Sequence, residues 1–158
     1  MNILIRSALC SLLILAAFDA AFADSGHRTA QKCIMPEPYE PIRWIEPPVI
    51  YADFDRDGTR DFFGAVVEKS SSRKGIAFCN GGTGAVTIFG AGIAFDNGGD
   101  DFSWMDNWQL LEEPLATAKD GSPAPSTGAP RLLVEKKESS SAVIYYDGKD
   151  FVWEQRGD

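Results

Sequence analysis

The stretch Val49-Ile50-Tyr51-Ala52-Asp53-Phe54-Asp55-Arg56-Asp57-Gly58-Thr59-Arg60-Asp61-Phe62-Phe63-Gly64-Ala65-Val66-Val67-Glu68 decides the fold. Its ends, 49–54 and 62–68, are rich in β-branched and aromatic residues, and they flank an acidic centre containing Gly58. That is the pattern of two strands joined by a loop. Residues 76–79 and 85–89 repeat it around Asn80-Gly81-Gly82 and predict a second hairpin. Toward the C-terminus, 132–134, 143–146 and 151–153 predict three more strands, joined through Glu138-Ser139-Ser140-Ser141 and through Asp147-Gly148. An Asp-Gly pair supplies the positive φ angles of a two-residue hairpin turn. Ser103 and Asp106 have the spacing of a helix capping box, but Trp108–Leu111 favours a short turn followed by a strand. The expected fold is all-β: one compact antiparallel domain of about seven strands, built as hairpins over residues 49–158.

The flanking segments are of different character. Residues 24–48 carry Pro36, Pro38, Pro41, Pro47 and Pro48, which predicts an extended segment laid on the domain, with Trp44 and Ile45 as anchors. Residues 90–101 are glycine-rich and acidic, and 116–130 are rich in Ala, Thr, Ser, Gly and Pro; both predict loops. Before them all, Arg6, the apolar run 8–18 and Ala21-Phe22-Ala23 form the charged, apolar and small-residue regions of a cleaved export signal over 1–23. The apolar run is shorter than the roughly 20 residues that span a bilayer. Cys10 follows Leu9, not a small residue, which argues against lipid attachment there. The expected product is a free periplasmic or secreted monomer with no membrane insertion after cleavage.

Cleavage removes 23 of 158 residues and leaves 135, enough chain to bury one core. It takes away one base, Arg6, and one acid, Asp19, so the net charge stays at −8. This balance argues against nucleic acid and anionic lipid surfaces as partners, since both attract clustered Lys and Arg. Cations and basic proteins suit it better. Two cysteines remain, Cys33 and Cys79, and an even count in an exported chain predicts a disulfide. Closing that loop contributes about 4 kcal/mol in the chain-entropy model.

The chemistry concentrates in Asp53-x-Asp55-x-Asp57-Gly58-Thr59-x-Asp61. Carboxylates at positions 1, 3, 5 and 9 of a tight loop, with glycine at 6 and a backbone carbonyl at 7, converge hard oxygens on one point, which suits calcium better than magnesium. The loop is no EF-hand: position 12 is Gly64 and the flanks are strands. With the apolar Phe62-Phe63-Gly64-Ala65-Val66 that follows, it resembles the calcium loop of FG-GAP and VCBS-type repeats, the units of integrin-like β-propellers. The resemblance implies Asp53, Asp55, Asp57 and Asp61 as side-chain ligands and Thr59 as a backbone ligand. It covers a single copy. Propellers need about four to eight blades, so it extends to the loop and not to a full propeller. Arg56 stands where those repeats carry glycine. The competing reading is a polar turn whose aspartates cap backbone amides, with Arg56 and Arg60 offsetting charge.

Weaker candidates follow. Asp96, Asp100 and Asp101 form a second acidic cluster that suits a solvated turn or a binding loop, and Trp104 and Trp108 are candidate contact residues beside it. Alternation puts Tyr145 and Tyr146 on opposite sheet faces, with Trp153 and Val143 assigned to the core. Gly82-Thr83-Gly84 and Gly90-Ala91-Gly92 complete no phosphate-binding motif. His27, the only histidine, lies near the new N-terminus, a poor foundation for a nucleophilic triad. The expected function is therefore a non-enzymatic calcium-binding module for a protein or glycan partner, an inhibitor or immunity-type protein being one version. An envelope protein using calcium only for stability is the alternative. A hydrolase using Asp100, Asp101 or Glu112 ranks below both, because no mechanism-bearing motif accompanies those acids.

Overall fold

The computed structural model describes residues 33–111 and 128–157. The expected leader, residues 24–32 with His27, Glu112 and most of the loop 116–130 lie outside the described residues. Among the described residues there are nine strands: β1 (Tyr39–Pro41), β2 (Val49–Ala52), β3 (Asp61–Glu68), β4 (Lys74–Cys79), β5 (Val86–Gly90), β6 (Asn107–Leu111), β7 (Arg131–Lys136), β8 (Ser140–Tyr146) and β9 (Phe151–Gly157). Two 3-10 turns, Asp96–Gly98 and Phe102–Trp104, connect the halves. Every strand pair is antiparallel, so the all-β expectation holds. The strands divide into two sheets: β1-β3-β4-β5, with β2 also on β3, and β6-β7-β8-β9. No helix among the described residues is long and apolar enough to cross a membrane.

Alternation along β3 sends Phe63 and Ala65 to one face and Phe62, Gly64 and Val66 to the other. The first face, with Ile76, Phe78 and Phe89, packs against Trp108, Leu132, Val134, Ile144 and Trp153 of the second sheet. Phe63 is the hub: its ring centroid lies 4.7 Å from Phe54, 5.3 Å from Phe78 and 5.6 Å from Phe151. The other face of the first sheet holds a smaller cluster of Val66, Ala77, Ile88 and Ala91, against which Met35 and Tyr39 pack. Gly64 and Ala77 are paired across β3 and β4, and they border a trough of about 420 Å³ on that face. On the second sheet Val143 is fully buried, as expected, but on the face away from Trp153, where Arg131 is buried 4.8 Å from the Tyr145 ring centre.

Two details depart from expectation. β1 arises inside the proline-rich segment: Tyr39–Pro41 pairs with Val66–Glu68, next to β2, which occupies the other half of β3. Edge position is where a strand tolerates proline. The β8–β9 connection is not a two-residue turn. Tyr146 pairs with Phe151, leaving a four-residue loop in which Asp147 Oδ1 accepts from the amides of Lys149 (2.8 Å) and Asp150 (2.9 Å). The short turn and strand expected over 103–111 are both found: Asp101 caps the 3-10 turn by accepting from the Ser103 amide, and β6 follows.

The proline-rich segment is anchored where expected. Ile45 is buried in the main core and Trp44 packs against it, with Lys74 Nζ 4.9 Å from its ring centre. The Trp108 indole N–H donates to the Pro47 carbonyl at 2.6 Å, tying this segment to the second sheet.

Candidate metal centre

Ala52 pairs with Asp61 across β2 and β3, so residues 53–60 are the hairpin connection and Asp61 opens β3. The loop turns through two left-handed residues, Arg56 (φ 62°) and Gly58 (φ 84°). Glycine adopts this conformation freely, whereas Arg56 does so at a cost of about 1 kcal/mol.

Within this turn one oxygen each from Asp53, Asp55 and Asp61 lies within 4.8 Å of the others. Backbone amides hold the carboxylates in place. Asp53 Oδ2 accepts from Gly58 N (3.1 Å), Asp55 Oδ1 from Asp57 N (3.1 Å) and Asp57 Oδ1 from Thr59 N (2.7 Å). Asp61 is fully buried and accepts from Phe54 N (2.9 Å) and Gly81 N (2.8 Å). Asp57, although in the loop, stands outside the convergent trio; its second oxygen accepts from Asn80 Nδ2 at 3.3 Å.

The electrostatics leave charge uncompensated. Burial pushes the Asp61 carboxyl up to about 6, the Asp55 charge adds to the rise, and the amides of Gly81 and Phe54 pull the other way. Asp53 Oδ1 is buried and has no hydrogen-bond partner. A buried acceptor of this kind is costly unless something satisfies it. Three converging carboxylates, one of them with an orphaned oxygen, could hold a hard divalent cation, with Asp57 in the same turn.

The β4–β5 turn closes over this loop, which the sequence pattern alone left unnoticed. The Asn80 side-chain amide donates to both Asp55 and Asp57, while its Oδ1 accepts from Thr83 N (2.6 Å) and Thr83 Oγ1 (2.8 Å). A Cβ on Gly82 would fall 2.8 Å from Asp57 Oδ2 and 3.3 Å from Thr59 Oγ1, so a side chain there would push the Asp57 carboxylate aside. In the fold, Phe62 pairs with Cys79, which places the residue after Cys79 beside Asp61. Cys33 and Cys79 are joined as a disulfide, their Cα atoms 6.1 Å apart, immediately before that turn.

The second acidic cluster is built differently. Asp96 accepts from the Asn97 amide, Asp100 pairs with Arg73, and Asp101 Oδ1 accepts from Lys74 N and Ser103 N, each at 3.0 Å. Among the described residues these acids do not converge as the first trio does. Trp104 is half-buried and donates to the Gly98 carbonyl (3.1 Å), and Trp108 is 1% exposed in the core, so it offers no ring face to a partner. Compared with protein-family models, with curated proteins and with solved structures, the chain finds no match.

Proposed function

We propose that the chain is an exported, non-enzymatic calcium-binding β-module that engages a protein or glycan partner as a monomer in the periplasm or outside the cell. The observation that carries the metal part is the orphaned, buried Asp53 Oδ1 within a trio of converging carboxylates. Calcium, when bound, supplies the positive charge that lets Asp61 stay ionised while buried. Calcium is preferred over magnesium because a multi-carboxylate turn suits its larger, flexible shell. The expected export signal and the cysteine pair support the compartment, and the net charge of −8 favours a basic partner over nucleic acid. The absence of a catalytic motif in the sequence supports a binding role.

The test is thermal unfolding of the mature, oxidised protein in calcium, in magnesium and in chelator, repeated on Asp55→Ala. A hundredfold excess of calcium over its Kd stabilises by about 2.7 kcal/mol, and Asp55→Ala abolishes the rise. Coincident curves in all conditions support the second reading, a turn held only by the amide bonds to Asp53, Asp55, Asp57 and Asp61. The inhibitor version predicts complexes with basic exported hydrolases; mixing that yields neither complex nor inhibition counts against it.

A further inference from the structure

Beside the aspartate loop the two sheets part, and a cleft of about 370 Å³ opens between the β4–β5 turn and the β8–β9 loop. Its floor is aromatic. Phe78 and Phe89 are nearly buried, and Phe151 lies over them with ring centroids 4.5 and 5.6 Å away. Tyr146, 5.4 Å from Phe151, continues the floor, and both of these rings are half-buried. The walls are polar: Asn80, Thr83 and Thr87 on one side, Lys149 and Asp150 on the other, with Asp55 at the end shared with the loop. The register explains this mixture. Phe78 pairs with Thr87, and Tyr146 with Phe151, so alternation brings all four to the faces that meet between the sheets.

We propose that this cleft binds one uncharged pyranose ring of a glycan. The proposal rests on the reading of the chain as a binding module and names its ligand class. A pyranose has weakly positive C–H groups on one face, which lie well on the negative face of an aromatic ring, and hydroxyls around its edge, which need polar walls. An acyl chain would leave the threonines, Asn80 and the charged wall unsatisfied. An anionic ligand would find a single ammonium, Lys149, which already lies 3.6 Å from Asp150. The volume falls within the roughly 300–1,000 Å³ usual for ligand sites.

The experiment applies the mature, disulfide-bonded protein to an array of neutral glycans, with sialylated and phosphorylated glycans on the same slide, in calcium and in chelator. Two variants accompany it: Tyr146→Ala, which removes part of the floor, and Thr87→Lys, an exposed wall position where a bulky cation obstructs the cleft. Binding to a neutral glycan class, weakened at least tenfold by both variants while the calcium-induced melting shift is unchanged, supports the proposal. Three results overturn it: no neutral-glycan binding, preference for anionic glycans, or binding that survives both variants. The melting shift reports the metal site separately. Glycan binding without that shift would retain the cleft and remove the ion, and a shift without glycan binding would do the reverse.

Discussion

Asp61 provides the sharpest test of the metal centre, because its burial makes the ion-free protein pay for a charge at neutral pH. Its carboxyl titrates near 6 in the folded state against an ordinary 3.8. A raised carboxyl means that the folded state holds the proton more tightly than the unfolded one, so stability is lost as pH rises from about 4 to about 6. The whole shift corresponds to about 3 kcal/mol, of which roughly 1.3 kcal/mol falls between pH 5 and pH 7. Asp61→Asn removes the ionisation, but it turns one acceptor toward an amide into a donor, at about 1–3 kcal/mol. At pH 7 in chelator the two effects nearly cancel, whereas at pH 4 the variant is the less stable protein. The assay is urea unfolding in chelator at pH 4, 5, 6 and 7, with the pH 7 series repeated in calcium. Calcium stabilises the wild type at pH 7 and leaves Asp61→Asn unmoved. If wild-type stability in chelator does not fall from pH 5 to pH 7, or if the variant falls equally, the argument from the buried carboxylate is wrong.

Other consequences are independent of the ion. Phe63→Ala removes the hub ring of the inter-sheet core and is expected to cost about 3–5 kcal/mol by chemical denaturation, with little change in the slope. Hydrogen bonds from Ser71 and Ser70 lower the Glu68 carboxyl to about 2. Its contribution is therefore present above about 4.5 and lost as pH falls toward 2, so acid titrations of wild type and Glu68→Gln separate at pH 5 and converge near pH 2 when followed by circular dichroism. Reducing the Cys33–Cys79 bridge, or replacing both cysteines by serine, lowers stability by up to about 4 kcal/mol, read as a drop in denaturation midpoint.

The hairpins were legible because strand signals are local. Phe62–Glu68 and Ile76–Cys79 announce themselves by β-branched and aromatic content, and the aspartate spacing announces the turn. The division into two sheets was not legible, since it depends on which strands fail to pair: β5 and β6 follow one another in the chain yet belong to different sheets. β1 was hidden by its own composition, because Pro38 and Pro41 suppress the strand signal that its register with β3 restores. For the site, the sequence named Asp53, Asp55 and Asp61 but missed Asn80 and Gly82, whose role is to lie against the loop from another hairpin. Asp57 and Thr59 obey the spacing, but the trio forms without them. Trp108 looked like a contact residue because aromatic content alone gives no sign of which way a strand faces.

The Cys33–Cys79 bridge ends one residue before Asn80, whose side chain grips Asp55 and Asp57, and two before Gly81, whose amide holds Asp61. Crosslink and carboxylate loop are thus two handles on one turn. Thermodynamic coupling between two such events is reciprocal. If an oxidised bridge holds the turn in the geometry that grips an ion, a bound ion must in equal measure favour the oxidised bridge. An exported chain assembled this way would gain metal affinity on reaching an oxidising compartment, and that gain would mark its arrival.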